Sequence, residues 1–380
     1  MQRRKKTDGI NTSSRGSVFS FFSGAGFLDL GFEKGGFEIV FVNELHEPFL
    51  KAHKHARGGM GLKDPRYGYN HGDMGALTEG NGKKKLSTFL SDAKKRGEIT
   101  GFIGGPPCPD FSVAGKNRGS RGQHGKLSGI YTKLIKQQKP DFFVFENVKG
   151  LYKTELHRKY YDNLKKQLRA NGYVTTERLI NALEYGVAQD RARIILVGFK
   201  KELLPMEDPE VAKQFLEDYF PWWGSKKYSL DQIKPTTKQV KVKKMPEEVT
   251  VNFWFKKNDV LNHPNSKHHF QPQVIQKFRT IKEGDVSKKS FKRLHRDRYS
   301  PTAAYGNNEV HLHPFRPRRI SAAEALAIQS LPKNFSFPSD MTLSDMFKAI
   351  GNGVPFIAAR AVAKDVANFL AIKDSLLPKG

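Results

Sequence analysis

The sequence predicts an α/β fold with a mostly parallel sheet, followed by a smaller irregular domain. Through the first two hundred residues, short apolar runs rich in β-branched and aromatic residues alternate with helix-like stretches. Nearly continuous apolar strands are typical of a parallel sheet covered by helices on both faces. After about residue 200 this alternation stops, and lysines and aromatic residues occur without a sustained period. In such folds, ligands bind beyond the carboxyl ends of the strands.

Each predicted strand is flanked on at least one side by Gly, Pro, Asn or Asp, the residues that favour turns. The strands are predicted over residues 18–22, 38–42, 101–103, 142–145 and 194–199, and the helices over residues 28–34, 46–55, 151–171, 325–331 and 356–371. Ser321 followed by Glu324 is a capping box, which marks the start of the helix near residue 325. The Gly/Lys-rich run at residues 80–85 is predicted to be a flexible loop.

The charge balance predicts a polyanionic partner. Lys and Arg number 65 against 38 Asp and Glu, which gives a formal net charge of +27. An excess of this size favours a nucleic-acid partner over a basic enzyme with a small substrate. Charge alone does not separate DNA from RNA or from an acidic membrane surface. The lack of an apolar run of about 18 residues argues against a membrane span. The basic run at residues 3–6 has no apolar stretch after it, so we interpret it as a short basic tail rather than a secretory signal.

Cys108 is the only cysteine, so an intramolecular disulfide and a Cys-rich zinc site are excluded, and a reducing cytoplasm fits. A lone cysteine is commonly a small buried apolar residue. Here it stands in the segment Gly-Gly-Pro-Pro-Cys-Pro, after a predicted strand, where two prolines fix the backbone just before it. A thiol held at the carboxyl end of a strand can act as a nucleophile if its pKa is lowered. We therefore predict that Cys108 is a nucleophile.

Three further segments predict a pocket for an adenosine-containing cofactor. The turn 22–26, Phe-Ser-Gly-Ala-Gly, follows the first strand and opens a helix, so its backbone can approach a ligand closely. Glu44 ends the second strand, where a carboxylate can bind ribose hydroxyls. Asp73 follows a further predicted strand. Each signal is weak alone, and at this step both NAD and S-adenosylmethionine fit.

Glu146 ends an apolar strand, where partial desolvation would raise its pKa and allow it to donate a proton. Arg191 and Arg193 precede another strand, and their spacing predicts one shared face that could bind a carboxylate, a carbonyl oxygen or a phosphate. A carboxylate that caps a turn and a solvated strand edge are the ordinary alternatives for these two patterns.

Taken in order, these segments resemble the DNA cytosine-C5 methyltransferase family. The turn 22–26 resembles its first cofactor motif, and Pro-Pro-Cys at 106–108 its catalytic motif. Glu-Asn-Val at 146–148 and Gln-x-Arg-x-Arg at 189–193 resemble its base-recognition motifs. Arg-Arg-Ile-Ser-x-x-Glu at 318–324 and Gly-Asn-Gly-Val at 351–354 resemble its two C-terminal motifs. The match covers roughly residues 17–200 and 300–366.

The resemblance implies a Rossmann-like S-adenosylmethionine-dependent methyltransferase fold with a target-recognition domain. We divide the chain into a basic N-terminal tail (1–16), a catalytic and cofactor-binding domain (17–200), a target-recognition domain (201–310) and a C-terminal segment (311–380) that completes the catalytic domain. The implied chemistry begins with addition of the Cys108 thiolate to C6 of a flipped cytosine. Glu146 would hold and protonate N3, and Arg193, together with Arg191, would contact O2. S-adenosylmethionine would then methylate C5, and loss of the C5 proton would release Cys108.

The resemblance also implies which residues bind the cofactor and the DNA, and no metal site is expected. In the cofactor site, Phe22 would stack on adenine, Glu44 would bind the ribose, Asp73 the adenine amine, and Asn352 would support the methionine end. The full predicted cofactor set is Phe22, Ser23, Gly24, Ala25, Gly26, Phe27, Glu44, Leu45, Asp73, Met74, Pro106, Asn352 and Val354. The predicted DNA-binding set is Ser112, Lys116, Asn117, Arg118, Lys292, Arg293, Arg296 and Arg298.

Three positions depart from the family pattern. Phe27 stands where a second glycine is usual, Pro109 where glutamine is common, and Leu45 where an aromatic residue is frequent. The first and third bear on the packing around the cofactor, and the second bears on the flipping step. None of them removes a group that carries covalent chemistry.

The leading interpretation is an active methyltransferase on double-stranded DNA that acts as a monomer in the cytoplasm, associated with the nucleoid, and accompanied by a cognate restriction or defence protein. The alternatives are an RNA (tRNA) cytosine methyltransferase, a nucleic-acid-binding homologue without catalysis, and a nicotinamide dehydrogenase. The large basic insert favours a duplex-DNA reader over the RNA branch. The presence of Cys108, Glu146, Arg191 and Arg193 argues against a pure binder.

Overall fold

A seven-stranded, mostly parallel sheet forms the centre of the catalytic domain. The computed structural model describes residues 15–107, 123–152, 154–222, 224–234, 245–271, 275–288, 291–302, 305 and 311–376. The strands of the sheet are β1 (Ser17–Phe21), β2 (Glu38–Glu44), β3 (Tyr69–His71), β4 (Thr100–Gly104), β5 (Phe142–Val148), β6 (Tyr173–Asn181) and β7 (Ala192–Lys200). Their order across the sheet is β3-β2-β1-β4-β5-β7-β6. The predicted fold class is confirmed.

Helices cover both faces of this sheet. Others lie in residues 201–310, which we call the second region, and in the C-terminal segment. Together they are α1 (Phe27–Glu33), α2 (Glu47–Gly59), α3 (Gly80–Lys95), α4 (Gln123–Gln138), α5 (Glu155–Arg169), α6 (Pro209–Tyr219), α7 (Leu230–Ile233), α8 (Val251–Lys257), α9 (Ile275–Thr280), α10 (Ala322–Ile328), α11 (Leu343–Asn352) and α12 (Phe356–Leu376). A small parallel sheet pairs β8 (Lys292–Arg293) of the second region with β9 (His311–Leu312) at the start of the C-terminal segment. The predicted capping box of Ser321 and Glu324 starts α10.

The direction of β7 decides how the site is assembled. Strands β1 to β5 pair in parallel, so their carboxyl ends lie at one edge of the sheet. β7 runs antiparallel to β5, and its register pairs Val148 with Arg193. The beginning of β7 therefore lies beside the end of β5. For this reason residues 191–193 lie at the ligand-binding edge although they stand at the beginning of their strand.

Two apolar cores hold the sheet between its helices, and a third lies under the C-terminal segment. On one face, Phe32 of α1 and Val362 of α12 belong to a single buried cluster with strand residues such as Val197. This cluster extends past residue 200, since Phe215 of α6 and Trp222 are part of it. The Trp222 indole also donates a hydrogen bond to the Thr176 hydroxyl at 2.9 Å. Residues 204–222 thus pack as part of the catalytic domain.

The loop predicted at residues 80–85 is wrong: these residues form the first turns of α3. The Gly/Lys composition of the run concealed a helical apolar spacing that begins at its end. Leu86, Leu90 and Ala93 are buried on one side of α3, and their spacing of three to four residues is that of a helix packed on a core. Tertiary packing of this face overrides the low helix propensity of the glycines.

Part of the second region is bound tightly to the C-terminal segment. The Asn258 side chain donates a hydrogen bond to the Leu331 carbonyl at 2.7 Å. The Asn265 amide pairs with the backbone of Phe337 in both directions, at 3.1 and 2.8 Å. Residues of α8 and α10 share one buried apolar cluster. The C-terminal segment therefore supports both the catalytic sheet and the region that follows residue 224.

Candidate active site

The turn after β1 is held by the carboxylate at the end of β2. Glu44 accepts a hydrogen bond from the backbone N–H of Gly24 at 2.8 Å and one from His46 N–H at 2.8 Å. Phe22 has a φ of +52°, and Gly24 and Gly26 have φ of +55° and +83°. These left-handed conformations turn the chain sharply into α1, as the glycine pattern predicts. Since Gly24 has no atom within 4 Å of the position of a Cβ, its surface is open to a ligand.

Several features of this turn fit an adenosine-containing cofactor. The Ser23 hydroxyl is buried and has no hydrogen-bond partner among the described residues, so a ligand group can satisfy it. Phe22 is half-buried, and its ring meets Tyr131 edge-on with 6.2 Å between centroids, which leaves a face for stacking. Asp73 is exposed and uses one carboxylate oxygen to cap Gly75 N–H at 2.6 Å, so the other can accept from an amine. Leu45 is 63% exposed beside Glu44.

Phe27 departs from the family pattern. Its ring fills a space left open by Gly353, the residue directly after α11. Its side chain is 2% exposed and meets the Phe335 ring edge-on at 5.2 Å. A Cβ on Gly353 would come within 2.2 Å of the Phe27 ring. The cofactor turn is thus packed directly against the end of α11. Two predicted cofactor residues stand at that end: Asn352 is exposed and Val354 is buried.

A buried polar cluster lies under the same turn. The Ser20 hydroxyl donates to the Asp29 carboxyl at 2.7 Å, and His53 Nε2 lies 3.5 Å from the other oxygen of Asp29. Burial raises the pKa of Asp29 to about 7 and lowers the pKa of His53 to about 3. The His53 ring touches Gly26, because a Cβ there would come within 2.2 Å of it. The 22–26 turn therefore packs against the imidazole of His53.

At the end of β5, Glu146 and Arg193 form a buried ion pair. Arg193 Nε lies 2.8 Å from Glu146 Oε1, and their side chains are 12% and 9% exposed. Desolvation raises the pKa of Glu146, although Arg193 and Arg191 act in the opposite direction. Desolvation also lowers the pKa of the Arg193 guanidinium. The pair thus places a carboxyl group of raised pKa beside the Arg193 guanidinium.

The other oxygen of Glu146 faces the chain that leads to Cys108. A Cβ on Gly105 would come within 2.5 Å of Glu146 Oε2, so only glycine leaves the carboxylate in this place. The next residue, Pro106, is buried, and its carbonyl accepts a hydrogen bond from the Asn147 side chain at 3.3 Å. Neighbouring residues of β5 thus provide the carboxylate and bind the backbone of Pro106.

Arg191 donates hydrogen bonds to groups other than the Glu146 carboxylate that pairs with Arg193. It is 1% exposed, and its guanidinium donates a hydrogen bond to the Gly351 carbonyl at 2.6 Å. Its backbone N–H donates to the Asn181 side chain at 3.2 Å. Both arginines lower the pKa of Glu146, so the predicted shared face of Arg191 and Arg193 stays a prediction. Arg191 joins residues 189–193 to the end of α11.

The structure brings together the predicted residues of the cofactor turn, Glu44, Asp73, Met74, Pro106 and the Glu146–Arg193 pair at one edge of the sheet. Met74 is 3% exposed and begins the short helix after Asp73. Five predicted residues lie outside the described residues: Cys108, Ser112, Lys116, Asn117 and Arg118.

Arg293 and Arg296, which were predicted to bind DNA, form hydrogen bonds or ion pairs within the protein. Arg293 donates to the backbone carbonyls of Pro314 at 2.9 Å and Ile281 at 2.8 Å, which is a structural role. Arg296 forms a two-pronged pair with Glu283, with both contacts at 2.9 Å. Arg298 is exposed and has no ion pair among the described residues. Lys292 is half-buried.

The sequence analysis missed the contacts of Gly105, Asp29 and His53 in this site. A glycine directly after the β4 strand was a usable signal for close approach, but its partner, Glu146, is 41 residues away. Nothing near His53 in the sequence points to Asp29, because the contact depends on how α2 packs against α1.

The fold and the site together define an α/β protein with a glycine turn that fits an adenosine-containing cofactor and a buried acid–arginine pair packed against Gly105. The family model of the C-5 cytosine-specific DNA methylases matches residues 16–368. The chain is 55% identical over 377 residues to the Type II methyltransferase M.NmeDI of Neisseria meningitidis serogroup C, covering 97% of this chain and 85% of that protein. It therefore belongs to the C-5 cytosine-specific DNA methylase family and is a DNA cytosine-C5 methyltransferase.

Solved structures share the fold. A prophage-encoded methyltransferase of E. coli superposes with a TM-score of 0.65 at 21% identity, covering 93% of this chain and 99% of its own. The Dnmt2 methyltransferase of S. pombe superposes with a TM-score of 0.59 at 14% identity, covering 94% of this chain and 98% of its own. Among the described residues, no helix is long and apolar enough to cross a membrane. The same part of the chain contains no group of three His, Cys, Asp or Glu residues suited to a metal ion.

Proposed function

We propose that this enzyme methylates C5 of a cytosine that is flipped out of a specific duplex sequence, through a covalent bond between Cys108 and C6 of the base. The observation that carries the proposal is the buried Glu146–Arg193 pair, 2.8 Å apart, packed against Gly105 just before the Pro-Pro-Cys segment. A pair of this kind matches the N3 and O2 edge of cytosine. The base must leave the duplex because C6 is inaccessible within a stack.

The proposed reaction begins with addition of the Cys108 thiolate to C6. Glu146 Oε2, on the Gly105 side, donates a proton to N3, so electron density moves to C5 rather than building up as charge on the ring. Arg193 stabilises the developing charge near O2 and holds Oε1. Bound S-adenosylmethionine would supply the electrophilic methyl group, which C5 would take as the methyl–sulfur bond breaks and S-adenosylhomocysteine forms. The C5 proton then passes to water, the C6–S bond breaks to release the Cys108 thiolate, and the N3 proton returns to Glu146, which leaves 5-methylcytosine with its C5–C6 double bond restored.

The raised pKa of Glu146 supports its part as the proton donor. Burial disfavours the carboxylate, so a larger fraction of the group carries a proton near neutral pH than in an exposed glutamate. Because the donor form is protonated, activity should be lost as pH rises through the raised pKa. Proton donation of this kind contributes about 10²- to 10⁴-fold to rate. Glu146→Gln should cost a rate factor in that range.

In the proposed cofactor site, the ring of Phe22 stacks on adenine, and Asp73 accepts from the adenine amine with its second oxygen. Glu44 would bind the ribose hydroxyls while it keeps the turn in place through Gly24 N–H. Asn352, exposed at the end of α11, would support the methionine end. The remaining residues proposed here are Ser23, Gly24, Ala25, Gly26 and Phe27 at the turn and the start of α1, Leu45 after β2, Met74 after β3, Pro106 after β4 and Val354 after α11.

For DNA contact, we propose Lys292 and Arg298 from the second region and Ser112, Lys116, Asn117 and Arg118 from the segment after Cys108. Arg293 is left out because its guanidinium binds backbone carbonyls, and Arg296 because Glu283 neutralises it. We further propose that the enzyme acts as a monomer in the cytoplasm, beside a cognate restriction or defence protein, because the similar M.NmeDI is named a Type II methyltransferase.

The proposal is tested by expressing the chain in a host that lacks cytosine methylation and mapping 5-methylcytosine across its genome and its tRNA. We expect methylation of genomic DNA within one defined sequence. Cys108→Ser is the inactive control, and Glu210→Gln, which changes an exposed carboxylate on α6, should leave the pattern intact. Methylated tRNA with unmodified DNA would instead support an RNA methyltransferase. A folded protein that binds S-adenosylmethionine but leaves both nucleic acids unmodified would refute the proposal.

A further inference from the structure

A short exposed turn at the start of the C-terminal segment presents an aromatic ring and an arginine side by side. Leu312 pairs with Arg319 across an antiparallel bridge, and His313 N–H donates to the Arg318 carbonyl at 2.9 Å. Residues 314–317 form the end of this small hairpin, which we name the 314–317 tip. Phe315 is 44% exposed at the tip.

The backbone of the tip is fixed on both sides. His313 Nδ1 accepts hydrogen bonds from the N–H groups of Phe315 at 3.2 Å and Arg316 at 3.0 Å. The Pro314 carbonyl accepts from Arg293 Nε at 2.9 Å. At the base of the hairpin, Arg318 pairs with the buried Glu324 at 2.6 Å. A large apolar side chain on a backbone held this firmly is pre-organised for contact with a partner, because little entropy is lost when it binds.

The electrostatic surroundings of Phe315 favour an anionic partner. The Arg296 guanidinium lies 4.7 Å from the centre of the Phe315 ring. Glu283 neutralises Arg296, and this contact lowers the pKa of Glu283 to about 2. Arg316 is exposed, and its guanidinium has no ion-pair partner among the described residues. The tip thus carries one uncompensated cation beside an exposed ring, on a chain with a net charge of +27.

The tip lies within reach of the duplex that the active site would hold. Ser300 pairs with Gln189, and Asp190 N–H donates to the Ser300 carbonyl at 2.9 Å. Arg296, in contact with the tip, is four residues before Ser300, and Arg193 is four residues after Gln189. Since an extended chain spans at most about 3.5 Å per residue, Arg296 and Arg193 are no more than about 33 Å apart. This distance is about one turn of B-DNA.

We propose that the 314–317 tip binds the substrate duplex outside the flipped base, with Arg316 on a backbone phosphate and Phe315 packed on the adjoining sugar or base edge. This inference rests on the proposed function, since it assigns a contact to the DNA that the enzyme methylates. Phosphate contacts set position, and a rigid aromatic group adds apolar contact in a groove. None of the motifs that carry the family resemblance contains residues 314–317.

The test measures binding of the full-length enzyme to a duplex containing its mapped target and to an unrelated duplex, over a series of salt concentrations. Arg316→Gln should lower the slope of log K against log salt by about 0.9 on both duplexes, because one phosphate contact is lost. Arg316→Lys should restore the slope. Phe315→Ala should leave the slope unchanged and weaken target binding by about fivefold or more, the lower end of the contribution of an aromatic contact to nucleic acid.

Matched controls are Lys364→Gln, an exposed cation on α12, and Leu261→Ala, an apolar side chain that is 55% exposed. Neither should change the slope or the affinity. If Arg316→Gln and Phe315→Ala behave like these controls while the wild type methylates DNA, the tip inference fails and the proposed function stands. If the variants instead lower self-association without changing DNA binding, the tip is an interface between copies and the inference is overturned. If the wild-type enzyme neither binds nor methylates DNA, the proposed function itself is refuted.

Discussion

The Arg191 guanidinium donates a hydrogen bond to the carbonyl of Gly351, 2.6 Å away and 160 residues further along the chain. Gly351 begins the Gly-Asn-Gly-Val segment at the end of α11, and Gly353 in that segment touches the ring of Phe27 on the cofactor turn. Arg191 is thereby connected to the turn that we propose for the cofactor. Arg193, two residues later, pairs with Glu146. The two arginines of this motif have different hydrogen-bond partners, although both lower the pKa of Glu146.

We predict that conservative changes at these two arginines separate cofactor binding from chemistry. Arg191→Lys loses the planar donor that holds Gly351 and should weaken S-adenosylmethionine binding by about tenfold, since a hydrogen bond from a charged group contributes about 1.5–3 kcal/mol. Arg193→Lys should leave cofactor affinity unchanged and lower kcat. Calorimetric titration of the cofactor without DNA, together with single-turnover methyl transfer, measures both effects. Equal loss of cofactor affinity in the two variants would contradict this division.

A second prediction concerns the space that Gly105 leaves for the Glu146 carboxylate. Gly105→Ala removes no functional group, yet its Cβ would lie 2.5 Å from Glu146 Oε2. The carboxylate must then shift, and a displacement of about 1 Å can lower a rate by about 10²-fold. We expect kcat to fall by about that factor while cofactor affinity and thermal stability stay near wild type. Wild-type kcat in Gly105→Ala would show that the position of Oε2 does not matter to the reaction.

Phe27 and Gly353 should behave as a complementary pair. Gly353 has a φ of −63°, which alanine adopts freely, so Gly353→Ala acts only through its contact with the Phe27 ring. Overpacking of this kind should lower the free energy of unfolding by about 1–3 kcal/mol and weaken cofactor binding. Gly58→Ala is the control, because it meets nothing within 4 Å. A double-mutant cycle tests the pair. It compares urea unfolding of Phe27→Ala, Gly353→Ala and the variant that carries both changes. Additive losses would exclude the coupling.

The buried Asp29–His53 pair predicts opposite pH effects in two variants. The pKa of Asp29 is raised to about 7, so its contribution to stability is full below the pKa of an unfolded aspartate and is lost as pH rises towards 7. The pKa of His53 is lowered to about 3, so its contribution is full above about 6.5 and is lost as pH falls. Between about pH 4 and 6.5 the folded pair holds one proton on Asp29, and the unfolded pair holds one on His53. The two dependences therefore cancel in the wild type.

Removal of either partner exposes the dependence of the other. In Asp29→Asn, stability should rise with pH over this window by up to about 1.4 kcal/mol per unit, and in His53→Asn it should fall by a similar amount. Glu33 and Arg57, which lie beside the pair and are 2.8 Å apart, stay unchanged in both variants. Urea unfolding at pH 5 and pH 6 measures both slopes. Slopes of the same sign in the two variants would refute the assigned charge states.

The sequence predicted the sheet, the cofactor turn and the acid–arginine site because each depends on local signals at strand ends. Phe22 to Gly26, Glu44 and Glu146 all end apolar runs, and parallel strands bring such ends to one edge. What could not be predicted depends on long-range packing. The hydrogen bond of Arg191 to Gly351, for example, joins residues 160 positions apart. The α3 helix was missed because Gly80, Gly82 and the lysines hid the buried spacing of Leu86 and Leu90.

The central claim, that Cys108 attacks a cytosine held by Glu146 and Arg193, is tested most directly by a covalent trap. The enzyme is incubated with S-adenosylmethionine and a duplex that carries 5-fluorocytosine at the mapped target. Since fluorine cannot leave C5 as a proton does, the adduct should persist as a protein–DNA complex stable to denaturation. Peptide mapping should place the bond at Cys108, and Cys108→Ser should form none while still binding the duplex. Methylation of the normal target without a trapped complex, or a trap that survives Cys108→Ser, would contradict the mechanism.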